Sequence, residues 1–294
     1  MLANLLLAWF AQHARDLPWR RSRDPYPILV AEVMLQQTQV DRVLPKYHAF
    51  LAAFPNVAAL ASAPTAEVIR SWAGLGYNRR AVNLQRAVQV VQTQYGGEFP
   101  QSVEALRGLP GVGPYTAGAI ACFAFEQDVV FMDTNIRRVL RRALVGPDSN
   151  DPPPHDRALL DLSAALLPNG QGWAWNQALM ELGALICSAT TPACGRCPIQ
   201  RVCCAAAATG SPSLPRPLRR VAEGKREAYH GSRRWLRGRI IDALRQHPHL
   251  SLSHLGPLLK PDYRADDEAW LRDLVQGLVR DGLVQVDGDV VGLP

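Results

Sequence analysis

Two acidic residues stand where the neighbouring sequence would suit a carboxyl group for acid–base chemistry. Glu32 lies in the run ILVAEVMLQQTQV, where three of its four neighbours at helical spacing are apolar. Burial on such a face raises the pKa of a carboxyl and favours its protonated form, which general-acid catalysis requires. Asp133 lies in MDTNIRRVLRR, directly before a predicted helix. The alternatives are a glutamate that reaches water at the rim of a core helix and an aspartate that only caps a helix.

The cysteines are concentrated in one short segment. Five of the six fall between Cys187 and Cys204, whereas a secreted disulfide protein spreads its cysteines over distant loops. Four of them follow the spacing C-x6-C-x2-C-x5-C and could converge on one soft metal centre: Cys187, Cys194, Cys197 and Cys203. Zinc is an alternative, although four-cysteine zinc sites normally have two C-x2-C pairs, and unligated cysteines are another. Cys204 could replace Cys203 as the fourth ligand, and Cys122 is expected in the core.

A glycine-rich turn and an arginine strip could both contact phosphate. In LPGVGPYTAGA, Gly111 and Gly113 permit a tight turn with outward backbone N–H groups, and Pro114 suits the first position of a helix. The N-terminus of such a helix binds phosphate without a basic side chain, and a plain helix–turn–helix connection is the alternative. Basic residues recur after Asp133 as a strip that is either solvated or available to phosphate, namely Arg137, Arg138, Arg141 and Arg142.

The elements that must position these residues are helical. Apolar periodicity between prolines and glycines predicts helices over 27–54, 64–73, 79–95, 102–107, 114–125, 135–145, 155–167 and 173–187. We find no convincing alternating segment before residue 280, so the catalytic half is expected to be all-α. The opening MLANLLLAWFAQHAR favours an amphipathic helix over a signal peptide, because no basic residue precedes its apolar stretch.

A second region follows the cysteines. Residues 205–224 are rich in Ala, Pro, Ser and Arg, which predicts a linker. Helices are then predicted over 231–246, 251–259 and 266–280, and Asp-Gly in the tail LVQVDGDVVGLP predicts a hairpin. This pattern suggests a small winged-helix-like module over 225–294; the alternative is a helical cap packed on the first domain.

The net charge of +6 is a local feature of the chain. Residues 216–239 sum to +7, so the remaining residues sum to −1. A surplus of this kind suits a polyanionic partner. The apolar fraction of 48% and charged fraction of 20% exclude a wholly disordered chain, and no apolar run approaches the roughly 20 residues of a membrane span.

Four motifs in order resemble the helix–hairpin–helix DNA glycosylases of the endonuclease III superfamily, and among them the adenine DNA glycosylases. They are PWR at Pro18–Arg20 with EVMLQQTQV at Glu32–Val40, GLGY at Gly74–Tyr77, LPGVGPYTAGA at Leu109–Ala119, and the cysteine segment. The resemblance covers about residues 8–204, and it implies a glycosylase domain over 1–204. That domain would have a six-helix lobe at about 23–115 and a second lobe, made of the N-terminal helix and residues 116–204, that carries an iron–sulfur loop.

The implied reaction is hydrolysis of the N-glycosidic bond of adenine mispaired with 8-oxoguanine or guanine, after the base is flipped out of duplex DNA. Glu32 would protonate the purine, and Asp133 would stabilise the oxocarbenium-like sugar or add to it. Asn135 would position the surroundings of Asp133. Tyr115 stands where lyase-type relatives carry a Schiff-base lysine, and no lysine occurs from residue 47 to 224, so a monofunctional enzyme is expected.

The resemblance also implies binding roles. Gln37 and Tyr77 match residues that wedge into the base stack. The backbone contacts to DNA would come from Gly111, Gly113, Arg137 and Arg138. A [4Fe–4S] cluster would bind Cys187, Cys194, Cys197 and Cys203. We expect a cytoplasmic, bacterial-type monomer that associates with the nucleoid through double-stranded DNA and has no membrane partner; the basic module would supply salt-dependent DNA affinity.

Two departures from the family pattern are visible. Asp133-Thr134-Asn135 replaces the usual Asp-Gly-Asn, and Asp-Thr is closer to the lyase-type branch. Residues 205–294 are too short for the pyrophosphohydrolase-like domain that recognises 8-oxoguanine in typical members. The alternative functions are a thymine or uracil mismatch glycosylase on the same scaffold and a DNA-binding redox sensor. Only the sensor would need neither Glu32 nor Asp133.

Overall fold

The computed structural model describes residues 1–148, 154–209 and 228–294. The α-helices in these ranges are α1 (Leu2–His13), α2 (Pro25–Leu35), α3 (Val40–Ala53), α4 (Val57–Ser62), α5 (Thr65–Ser71), α6 (Arg79–Gln94), α7 (Val103–Arg107), α8 (Pro114–Phe123), α9 (Thr134–Leu144), α10 (Asp156–Leu166), α11 (Gly172–Leu185), α12 (Cys204–Thr209), α13 (Arg233–Gln246), α14 (Leu252–Leu259) and α15 (Glu268–Arg280). The strands are β1 (His249–Ser251), β2 (Gln285–Asp287) and β3 (Val290–Gly292). The all-α prediction for the catalytic half is thus confirmed in the part of the chain that the structure describes.

The structure corrects several sequence-based expectations about secondary structure. The helix predicted over 27–54 is two helices, because Gln37 has φ +56° and this left-handed conformation cannot continue a right-handed helix. Helix α4 was not predicted, since six residues are too few to show periodicity. Strand β1 lies before residue 280, where no strand was predicted. Its three residues are too few to show an alternating pattern, and their strand conformation depends on pairing with β3.

The predicted linker over 205–224 overlaps a helix. Helix α12 covers its first residues, and 210–224 lie outside the described residues. The domain boundaries inferred from the sequence therefore stay predictions.

The chain divides into two compact units, and the first contains residues 1–28, 101–107 and the described part of 112–221. Helix α11 is central to it and contacts α1, α8 and α9. Gly183 of α11 allows the close approach of α9, because a Cβ there would lie 2.7 Å from the Cβ of Asn135. In the opening helix α1 the side chain of Leu6 is fully buried, which confirms the predicted amphipathic helix. Cys122 is also fully buried, which confirms its predicted place in the core.

A buried carboxylate joins the N-terminal segment to α11. The side chain of Glu181 has no exposed surface and accepts hydrogen bonds from Arg15 Nε at 2.8 Å and Arg20 Nη2 at 2.7 Å. Burial alone would raise the pKa of Glu181, but the two guanidinium groups outweigh it and lower the pKa to about 2.

This ion pair predicts acid sensitivity of the fold. Because the pKa of Glu181 is lowered from 4.5 to about 2, its stabilising contribution is complete above pH 4.5 and lost as the pH falls towards 2. The free energy of unfolding should drop by about 2–3 kcal/mol over that range, as measured by urea denaturation. Glu181→Gln should remove this part of the pH dependence, whereas Glu126→Gln, at an exposed ion pair with Arg23, should leave it unchanged. Equal acid sensitivity in the two variants would contradict the assignment.

The second unit contains residues 29–100, 108–111 and the described part of 222–294. In its first part α4 and α5 pack on α6, with Phe50 and Trp72 fully buried. In its last part α13, α14 and α15 pack on one another beside an antiparallel sheet of order β1–β3–β2, with Leu250 and Val286 both paired to Val291. The helices and terminal hairpin predicted for the C-terminal module are confirmed.

The C-terminal module shares its core with the helices that precede it in the same unit. Ile69 of α5 and Val82 of α6 belong to the apolar cluster formed by the module. The N–H of Ala66 donates to the Pro294 carbonyl at 2.7 Å, and Arg245 Nη2 donates to the Ile69 carbonyl at 2.9 Å. The module is therefore packed on α5 and α6, as the alternative interpretation held, while keeping winged-helix-like elements.

Candidate functional site

Glu32 lies near the middle of α2 and is 4% exposed. Its helical neighbours Ile28 and Leu29 are 2% and 0% exposed, and Leu35 is partly buried. The predicted burial is confirmed, and the interpretation of Glu32 as a rim residue that reaches water is wrong. A carboxyl in these surroundings is shielded from bulk solvent, which is the environment that a general acid needs.

Asp133 is the N-cap of α9. Its Oδ1 accepts from the backbone N–H of Ile136 at 2.6 Å, and its Oδ2 accepts from Asn135 Nδ2 at 3.1 Å. Asn135 Oδ1 in turn accepts from Arg138 Nη2 at 2.7 Å. The capping interpretation is confirmed. The contacts fix the orientation of the Asp133 side chain through Asn135 and Arg138.

The glycine-rich connection joins α7 to α8 as predicted. Gly111 has φ +76°, and a Cβ there would lie 2.7 Å from the Cβ of Asn83, so no larger residue fits. Gly113 is the N-cap of α8 with φ −87° and open space at its Cβ position, so its backbone does not require glycine. Pro114 follows at the first helical position. Tyr115, in the first turn, packs edge-on against Phe131 with ring centroids 5.4 Å apart.

Two loops of the second unit hold non-glycine residues in the left-handed conformation. We call them the wedge loops: residues 36–39, which contain Gln37 at φ +56°, and residues 74–78, which contain Tyr77 at φ +47°. Such conformations are uncommon for non-glycine residues and persist only where the surrounding structure imposes them. Both predicted wedge residues therefore stand on constrained backbone.

Arg80 bridges the two wedge loops through hydrogen bonds. Its Nη1 donates to the carbonyl of Val33 in α2 at 2.8 Å and to the carbonyl of Gln36 in the first wedge loop at 2.5 Å. Its Nη2 donates to the Leu75 and Gly76 carbonyls, each at 3.1 Å. Burial lowers the pKa of Arg80 to about 10. Sequence reasoning missed this residue because its partners are carbonyl groups, which leave no signal in the sequence.

Arg80→Lys is expected to loosen the wedge loops, because an ammonium group cannot reproduce a planar fork of donors. We expect the free energy of unfolding to fall by about 2 kcal/mol, and affinity for mismatched DNA to fall more than affinity for matched DNA. Denaturant unfolding and fluorescence anisotropy measure the two effects. The matched control is Arg86→Lys, at an exposed position of the same helix. An equal loss of affinity for both duplexes in Arg80→Lys would contradict a positioning role.

The arginines of α9 do not form one solvated strip. Arg142 is 2% exposed, and it pairs with Asp148 and donates to Cys187 Sγ at 3.5 Å. Arg138 donates to the Cys187 carbonyl at 2.6 Å, and Arg137 forms an exposed ion pair with Asp156. The solvated-face interpretation is wrong for Arg138 and Arg142, which hold the cysteine segment against α9. Phosphate binding by Arg137 and Arg138 stays a prediction.

The cysteine segment encloses a small cavity in the first unit. The sulfur-bearing side chains that line it are Cys187, Cys194, Cys197 and Cys203. Cys204 is exposed and does not line the cavity. Burial raises the pKa of the Cys197 thiol to about 12, although the Ile199 N–H bonds to its sulfur. Burial also raises the pKa of the Cys203 thiol, so the thiolate forms of Cys197 and Cys203 are disfavoured without a positively charged group beside them.

The predicted site residues fall into both units. The second unit holds Glu32, Gln37, Tyr77 and Gly111. The first unit holds Gly113, Tyr115, Asp133, Asn135, Arg137, Arg138 and the four cysteines. Within the described ranges, no helix is both long and apolar enough to cross a membrane.

Residues 30–163 match the sequence model of the HhH-GPD superfamily of base excision DNA repair proteins, which is the class that the helices and the hairpin define. An adenine DNA glycosylase of Mycolicibacterium smegmatis is 40% identical over 292 residues, covering 97% of this chain and 92% of that protein. An adenine DNA glycosylase of Mycobacterium tuberculosis is 41% identical over 293 residues, covering 96% and 90%. The chain belongs to the adenine DNA glycosylase family, which acts in base excision repair.

A solved structure supports the same fold. The structure of a thermostable thymine-DNA glycosylase matches with a TM-score of 0.65 and 31% identity, covering 70% of this chain and 95% of that one. The mycobacterial alignments cover nearly the whole of this chain, so they extend into the C-terminal module. The module is therefore shared with these relatives and is not peculiar to this chain.

Proposed function

We propose that this chain is a monofunctional glycosylase that removes adenine mispaired with 8-oxoguanine or guanine from double-stranded DNA, and that it acts as a monomer. The observation that carries the proposal is the burial of Glu32 on the apolar helix α2. A protonated carboxyl in such a position can give its proton to a base. Tyr115 and the absence of lysine from residue 47 to 224 support hydrolysis without a Schiff base.

In the proposed reaction Glu32 gives its proton to a ring nitrogen of the extruded adenine. The N-glycosidic bond then breaks, and its electron pair leaves with the protonated base. Asp133 stabilises the positive charge on the sugar, with its orientation fixed by Asn135 and Arg138. Water adds to the anomeric carbon, and the proton that it loses restores the Glu32 carboxyl.

A [4Fe–4S] cluster fits the cysteine cavity better than zinc does. The donor set is all sulfur and soft, as iron–sulfur clusters require. Zinc would bring the sulfurs within about 4 Å of one another, given Zn–S bonds of about 2.3 Å. The described residues contain no group of three or more His, Cys, Asp or Glu side chains placed to hold a single ion. When bound by Cys187, Cys194, Cys197 and Cys203, the cluster would hold this segment in place.

The DNA backbone contacts are proposed at the turn before α8. The conformation of Gly111 and the N-cap position of Gly113 leave the first N–H groups of α8 without intrahelical partners. Backbone N–H groups of this kind bind phosphate and are favoured by the helix dipole. Arg137 is the more accessible of the two predicted phosphate ligands on α9.

Single-turnover base release from three duplexes tests the proposal. The duplexes carry A opposite 8-oxoguanine, A opposite guanine, and T opposite guanine, and product is read as alkali-labile abasic sites. We expect adenine release from the first two and no cleavage before alkali treatment. Thymine release without adenine release would overturn the proposal and favour the alternative hypothesis of a thymine mismatch glycosylase. Strand cleavage without alkali would overturn monofunctionality.

A further inference from the structure

A cationic groove of about 790 Å³ lies within the second unit, between the wedge loops and the C-terminal module. The basic residues that line it are Arg42, Arg79, Arg80, Arg234, Arg237 and Arg245. Among the described lining residues the only carboxylate is that of Asp242. The groove therefore has the charge that suits a polyanion.

Arg234 of the module is held between two tyrosine rings in this groove. Its guanidinium carbon lies 4.9 Å from the ring centroid of Tyr229 and 5.7 Å from that of Tyr77. Its Nη1 also donates to the Tyr77 hydroxyl at 3.2 Å. Tyr229 is 53% exposed and Tyr77 is 46% exposed, and Arg80 also lies 5.6 Å from the Tyr77 ring centroid, so Tyr229 has the more accessible ring. This arrangement orients the guanidinium of Arg234, whose other N–H groups have no acceptor among the described residues.

Arg234 has no carboxylate partner among the described residues, unlike several other arginines of the module. Four other arginines of the module pair with carboxylates: Arg233 with Asp273, Arg237 with Asp281, Arg245 with Asp242, and Arg272 with Glu268 and Asp289. For Arg234, no carboxylate of the described residues lies within ion-pair distance. Of the three module arginines that line the groove, Arg234 is therefore the one whose charge is not neutralised by a carboxylate of the described residues.

We propose that this groove binds a segment of a DNA strand, with a backbone phosphate on Arg234 and a base against the exposed face of Tyr229. A positive groove with aromatic rings is the combination that binds unstacked nucleotides, because cations pair with phosphates and any base can stack on a ring. The proposal deepens the proposed function and rests on it. It gives the C-terminal module a defined contact next to the wedge residue Tyr77.

Salt dependence tests the phosphate contact. The probe is a duplex with an abasic-site analogue opposite guanine, which binds without reacting, and the dissociation constant is measured by anisotropy from 50 to 200 mM KCl. Arg234→Ala should reduce the slope of log K against log salt by about 0.9, the value for one lost phosphate contact. Arg272→Ala removes the same charge from the same module outside the groove and should leave the slope unchanged. An equal reduction in both variants, or none in Arg234→Ala, would overturn the contact.

The stacking contact is tested at Tyr229. Tyr229→Ala should weaken binding of the same duplex at least about fivefold, whereas Tyr229→Phe keeps the ring and should bind as wild type. Equal binding by the two variants would overturn stacking. A failure of the proposed function would give a different result from a failure of the groove proposal. In that case the control variant Arg272→Ala would bind the probe duplex but would release no adenine from a mismatched duplex.

Discussion

Glu32→Gln is expected to lower the single-turnover rate of adenine release by about 10²–10⁴-fold, the usual contribution of a general acid. The amide has the size of the carboxyl but cannot give a proton to the leaving purine. Because Glu32 is 4% exposed, bulk water cannot easily take over that role. The rate is measured with enzyme in excess over a duplex containing A opposite guanine.

The control for this prediction is Glu67→Gln, on an exposed position of α5 in the same unit. It makes the same chemical change and should release adenine at the wild-type rate. Binding of the abasic-analogue duplex by Glu32→Gln should also match wild type, which separates chemistry from affinity. Full adenine activity in Glu32→Gln would contradict the proposed mechanism.

Cys203→Ser is expected to abolish retention of iron and sulfide, which should be about four of each per chain in the wild type. Cys203 lines the cavity with the three other cysteines, and a serine hydroxyl is a poor ligand for iron in such a cluster. Without the cluster, the segment from Cys187 to Cys203 loses its internal cross-link. We therefore expect a lower thermal midpoint as well. Metal and acid-labile sulfide analysis measure the first effect, and calorimetry measures the second.

Cys204→Ser is the matched control, because it changes the adjacent cysteine. Cys204 is exposed and lies outside the cavity lining, so this variant should keep its iron and its thermal midpoint. The opposite pattern would show that Cys204 is the fourth ligand. Loss of iron in neither variant would contradict a cluster at this site.

The longer helices were largely predictable because local periodicity and breakers encode them, whereas the six-residue helices α4 and α12 were not predicted. Glu32 could be placed on a buried face from its neighbours alone, and Asp133 could be recognised as an N-cap from the residues that follow it. The break at Gln37 could not be predicted in this way. It is bridged by Arg80, whose hydrogen bonds reach back more than 40 residues along the chain.

The arginines of α9 show the same limit of local patterns. Their spacing correctly groups them on a helix, but it does not reveal which segment packs against that helix. Arg138 and Arg142 contact the chain around Cys187, more than 40 residues away, and this contact turns an apparently solvated strip into a partly buried one. The pairing of Arg234 with Tyr77 is still more distant in sequence, at 157 residues.

The shared core of the second unit has a consequence for how the protein is made. Ile69 and Val82 lie early in the chain, yet they belong to the same apolar cluster as module residues such as Leu274 and Leu278. At about 5–20 residues per second, a ribosome needs roughly 10–40 s to synthesise the chain between these early residues and the module residues. During that interval α5 and α6 expose an apolar face on the nascent chain. We therefore expect this unit to complete its folding last and to be the part that most depends on chaperones during synthesis.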